Sequence, residues 1–142
     1  MMALLRALLF RRTNLLLDVA PALVCLAGIM YLGLIPLKRL PDPGFFPADK
    51  FWHAVAFAVF ALLLFRALQH FLPSVLSSAR IAALGSSLVG ALLEVLQSLS
   101  AYRSAEVLDL VADVAGALVA MLFLNWMRPR SDAELTAEQL AP

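Results

Sequence analysis

The chain has 142 residues, 63% of them hydrophobic, with a mean hydropathy of +0.89 and a formal net charge of +1. A soluble domain is nearer half apolar, so the composition excludes an ordinary soluble enzyme and indicates one compact membrane domain. A near-neutral charge without a basic stripe or stacking aromatics excludes nucleic acid as a partner, and the single Cys25 excludes an intrachain disulfide.

The first twelve residues, MMALLRALLFRR, mix apolar residues with arginines. They predict a short helix in the membrane interface, with Arg6, Arg11 and Arg12 toward lipid phosphates. A basic start before an apolar run also resembles a signal peptide. The run continues to Ile35 without a small-residue cleavage pattern, which favours a retained anchor.

Four apolar runs follow: Val19–Ile35, Phe51–Leu68, Ile81–Leu99 and Val107–Trp126. Each is about 17–20 residues long, which matches a bilayer core of roughly 30 Å. In lipid such runs must be helices, because only a helix or a closed barrel satisfies its own backbone. Asp18 is placed to cap the first run, with Pro21 tolerated in its first turn. Pro36, Pro41, Pro43, Gly44 and Pro47 break the chain before Asp49, and Gln69–Arg80, with Pro73 and paired serines, reads as the next break. Ser100–Glu106 is short and polar. The acidic tail from Arg128 reads as loosely ordered. The expected fold is therefore all-α: a polytopic four-helix transmembrane bundle over 15–127. An interfacial segment over 1–14 precedes it, and a cytoplasmic tail over 128–142 follows.

Lysines and arginines of short loops set orientation. Arg6, Arg11, Arg12, Arg66, Arg80, Arg128 and Arg130 fall on one side, and Lys38, Arg39, Lys50 and Arg103 on the other. This bias predicts both termini in the cytoplasm of a bacterial inner membrane. The start of the second span, the end of the third and the start of the fourth then share the outer face.

Those three span ends carry most of the intramembrane polar residues. A charge at the bilayer centre costs roughly 2.5–3.5 kcal/mol on insertion scales, so such residues mark functional sites by default. Asp49 and His53 are one helical turn apart, as are Asp109 and Asp113, and Glu94 and Gln97 also share a face. Glu94 lies roughly 8 Å and Asp113 roughly 9 Å inside its span end. At matching depths, these groups are expected to face the bundle interior.

The segments DKFWHAVAFAVFALLL, GALLEVLQ and YRSAEVLDLVADVAGALV resemble the VanZ-like family. The family pattern is Asp-Lys-x-x-His at the start of one span and Glu-x-x-Gln near the end of the next. An Arg followed by Asp-x-x-x-Asn-x-x-Gly belongs to the last. By this resemblance Asp49, Lys50, His53, Glu94, Gln97, Arg103, Asp109 and Gly116 take the family's polar and glycine positions, over roughly 15–126. Asp113 stands where Asn is usual and adds a potential negative charge. The resemblance implies a role in the cell envelope, and the family's namesake is associated with resistance to the glycopeptide teicoplanin.

Several readings of this set stay open. Carboxylates suit Mg²⁺ or Mn²⁺ and a histidine extends the choice to Zn²⁺, but there is no HExxH-type spacing, and no metal or cofactor is expected. Acid–base or nucleophilic chemistry on a lipid head group or lipid-linked phosphate would use His53, Glu94 and Asp109, with Asp49 or Glu94 orienting the imidazole. Asp49, Lys50, Gln97, Arg103 and Asp113 would bind the ligand, with Lys50 and Arg103 on its phosphate. The same residues suit binding of a lipid or cell-wall precursor without chemistry. They also suit a purely structural network that holds three helices in register. Membrane lipids are expected partners, with self-association open and required for any transport role. Elsewhere, Arg66 reads as snorkelling to phosphate, His70 as an interfacial loop residue, Trp52 and Trp126 as an aromatic belt, and Ser86 and Ser87 as bonding back to their own helix. Gly85, Gly90 and Gly116 read as close-packing positions.

Overall fold

The computed structural model describes residues 1–10, 13–35, 48–100 and 106–128. The described residues form five helices and no strand: α1 (Met2–Phe10), α2 (Leu15–Leu34), α3 (Ala48–Leu68), α4 (Val75–Ser98) and α5 (Val107–Met127). The last four are long and apolar enough to cross a membrane, as the four runs predict. Arg11, Arg12, Lys38, Arg39, Arg103, Arg130 and the acidic tail lie outside the described residues.

The two largest departures from the expected boundaries are the starts of α2 and α4. α2 starts at Leu15, where the Asn14 side chain accepts the Leu16 N–H at 2.9 Å. Asp18 is thereby freed from capping and sits within the helix. α4 starts at Val75, six residues ahead of Ile81. Its first turns read as a polar break, yet Ser74 supplies a cap and Ser78 Oγ donates to the Ser74 carbonyl at 3.0 Å.

α3, α4 and α5 form the bundle proper, with α3 most extensively packed on α5. Small residues allow this. Ala61, Ala83, Ala117 and Ala120 are buried together at mid-bundle, and Gly116 lies directly against the Ala54 backbone carbonyl. Without a hydrophobic force between helices in lipid, such close approach carries the association. Ser86 Oγ crosses from α4 to donate to the Phe57 carbonyl of α3 at 3.1 Å, whereas Ser87 Oγ bonds back to Ala83 at 2.9 Å. Thus Ser87 follows the expectation and Ser86 does not, since Ser86 faces the bundle.

At one end of the bundle Phe65, Ala79, Ala82, Leu124 and Met127 make an apolar core, against which Leu9 of α1 is buried. The Gln69 amide donates to the Leu9 carbonyl at 2.9 Å and fixes α1 there, with Arg6 exposed. α2 is peripheral and buries only Asp18, Ala22 and Gly33. Trp52 and Trp126 are both exposed and sit at opposite ends of the bundle.

Candidate functional site

The start of α3, the end of α4 and the start of α5 meet at the end of the bundle away from α1. α4 and α5 run antiparallel there. A Cβ on Gly90 would lie 2.7 Å from Asp113 Oδ2, so these two residues are level. One turn nearer the end, Glu94 on α4 is level with Asp109 on α5. Glu94, Asp109 and Asp113 are all buried, and Asp113 is 0% exposed.

His53 is fixed by Asp113, with Nδ1 and Oδ1 2.9 Å apart. The sequence reading gave that role to Asp49 or Glu94. Asp113 takes it because it sits one turn deeper than Asp109, beside the imidazole. Nε2 then faces outward, 4.0 Å from Asp49 Oδ1 and 3.9 Å from Asp109 Oδ2.

Lys50 takes the other oxygen of each of these carboxylates. Its Nζ lies 3.5 Å from Asp49 Oδ2, 2.6 Å from Glu106 Oε2 and in contact with Asp109 Oδ1. The contact with Asp109 is an ion pair with a largely buried carboxylate. Lys50 is thus committed to three carboxylates, whereas the sequence reading set it free to hold a phosphate. Glu106, unnoticed in the sequence, also donates its backbone N–H to Glu94 Oε2 at 2.8 Å. Its position just before a span, among other acids, was the available signal.

Glu94 Oε1 and Asp113 Oδ2 are buried and have no partner among the described residues. A buried polar atom left unpaired costs about 1–3 kcal/mol, and more when charged. Gln97 is turned elsewhere: its buried amide donates to the Gly33 carbonyl of α2 at 2.9 Å.

A second polar cluster at the opposite end of the bundle corrects the expectations for Asp18, Arg66 and His70. Asp18 is 2% exposed. Its Oδ1 accepts from Arg66 Nε and Thr13 Oγ1, each at 2.9 Å, and also from Arg66 Nη2. Its Oδ2 lies 2.8 Å from His70 Nε2 and accepts the Thr13 N–H at 3.2 Å. Arg66 therefore reaches a carboxylate of α2 where snorkelling to a lipid phosphate was expected, and His70 is a ligand of the same carboxylate. An aspartate and an arginine at adjoining span ends were the sequence signal for this pair.

Fold and site together define a multi-pass helical membrane protein with an acid-rich cluster at one end of its bundle. A model of the VanZ/LLP1 family matches residues 11–128, and the chain belongs to that family. No curated protein and no solved structure matches the chain.

Proposed function

We propose that this VanZ-family protein resides in the bacterial inner membrane with its termini in the cytoplasm. In that orientation the α3–α4–α5 cluster opens at the outer face, where it binds the head group of a lipid or a lipid-linked cell-wall precursor. Such a role accords with an effect on glycopeptide susceptibility.

One observation carries the reading: the two polar clusters differ in completeness. Both oxygens of Asp18 are fully used within the chain, which is what a structural network requires. Among the described residues, the opposite cluster has two buried carboxylate oxygens without partners and a histidine whose Nε2 makes no hydrogen bond. Unused capacity at a preorganised imidazole supports ligand binding, and on this reading His53, Glu94 and Asp109 would carry any chemistry.

The test is comparative mass spectrometry of membrane lipids and wall precursors. The strains compared carry no copy, the wild type, or stably inserted Glu94→Gln or Asp109→Asn proteins. A species that follows the wild type but not the variants supports the reading. Unchanged profiles at matched protein levels would turn the interpretation to a scaffold whose charges are structural.

A further inference from the structure

We propose that Asp49, His53 and Asp109 hold a divalent first-row transition ion, with Asp113 as the residue that positions the imidazole. The inference deepens the head-group reading, since the ion would give an acid-rich site its means of meeting a phosphate.

The first argument is charge. Among the described residues, Asp49, Glu94, Glu106, Asp109 and Asp113 gather around Lys50 and His53. Lys50 is already shared among three of the acids, so it has little capacity left for an anionic ligand arriving alone. A divalent cation offsets the excess and turns an attractive face to phosphate oxygens.

The second argument is geometry. One ligand atom from each of Asp49, His53 and Asp109 lies within 4.8 Å of the other two. The separations of 3.9 and 4.0 Å from His53 Nε2 are too long for hydrogen bonds. Donors about 2.0–2.2 Å from a shared ion stand roughly 3–3.5 Å apart, so small side-chain rotations close the site. Each aspartate gives one oxygen to Lys50 and keeps the other toward Nε2.

Two further observations concern groups outside the three donors. Metal-binding histidines nearly always donate their second ring nitrogen to a carboxylate or carbonyl, which fixes the tautomer. Fully buried Asp113 does this at Nδ1, leaving Nε2 as the free lone pair. Glu94, 7% exposed and level with Asp109, has no partner for Oε1 among the described residues, which leaves it as an acceptor for an ion-bound water. An imidazole with carboxylates favours Zn²⁺ or Mn²⁺ over Mg²⁺.

The experiment is calorimetric titration of full-length, tag-free, chelator-stripped protein in detergent with Zn²⁺, Mn²⁺ or Mg²⁺ alone. A single site is expected for Zn²⁺ or Mn²⁺, weakened at least about tenfold by Asp49→Asn, His53→Ala or Asp109→Asn. Asp113→Asn, which retains a weaker acceptor, should weaken it by about 10–100-fold, and His70→Ala at the other end should leave it unchanged. Asp49 is exposed, so its variant keeps the test valid if a buried substitution fails to fold. The Co²⁺ absorption spectrum should change in His53→Ala if the imidazole is a ligand. Absence of binding to the wild type, or affinity untouched in folded Asp49→Asn and Asp109→Asn proteins, would overturn the proposal. A Glu94-dependent lipid or precursor found without any ion binding would sink the ion alone and leave the head-group reading standing.

Discussion

Asp18 and Asp113 are two deeply buried carboxylates with different surroundings, and their substitutions should behave differently. Arg66 supplies two of the bonds to Asp18 and is itself mostly covered. Removing one partner of a buried ion pair costs about 3–5 kcal/mol, because the other charge stays behind. Arg66→Ala should therefore unfold at markedly lower denaturant in mixed-micelle titrations. His70→Ala, which removes one of several bonds, should lose only about 1 kcal/mol. Asp113→Asn keeps the shape and one acceptor, so it should fold close to normally while it disturbs His53. A stability loss for Asp113→Asn as large as that for Arg66→Ala would mean that the two clusters play the same structural role.

The elements themselves were largely legible in the sequence, because long apolar runs leave the helix as the economical solution in lipid. What the runs conceal is where polar side chains start or join them. The serines before Ile81 read as a break by composition, yet they extend α4 by capping and back-bonding. Asp49, His53, Glu94, Asp109 and Asp113 were legible as a group from one-turn spacings and common span ends. The Asp113–His53 bond and the sharing of aspartate oxygens between Lys50 and His53 were not, since they depend on the rotation of α5 against α3. The Asp18 cluster was hidden for a related reason: Arg66 and His70 lie 48 and 52 residues away. Helix spacing offers a test at this scale. A Cβ on Gly116 would run into the Ala54 carbonyl, a backbone group that cannot swing aside, whereas a Cβ on Gly28 meets nothing within 4 Å. Gly116→Ala should cost about 1–3 kcal/mol by forcing α3 from α5. Gly28→Ala should be neutral or slightly stabilising. Thermal unfolding of both variants by circular dichroism makes the comparison.

For the molecule as a whole, the described residues put one polar cluster at each end of the bundle. The Asp18 cluster and the Phe65–Leu124–Met127 core close the end that holds α1, while the cluster of Lys50, His53, Glu94 and Asp109 occupies the other. Orientation in the membrane then decides which side the Lys50–His53 cluster faces. In a Cys25→Ala background, a cysteine at exposed Asp49 should react with an impermeant maleimide in intact cells. A cysteine at exposed Asn14 should react only after permeabilisation; the reverse pattern would place the site in the cytoplasm. The attachment of α2 carries one more consequence. This helix is bound to the bundle by polar bonds near its two extremities, Asp18 to Arg66 and His70, and the Gly33 carbonyl to Gln97. The fifteen-residue interval between them fixes a length of about 22 Å along the helix axis. A slip by a single residue would break both fastenings at once. In a bilayer of different thickness, α2 cannot adjust by sliding past its neighbours; the bundle must tilt as a unit or the lipid must deform around it.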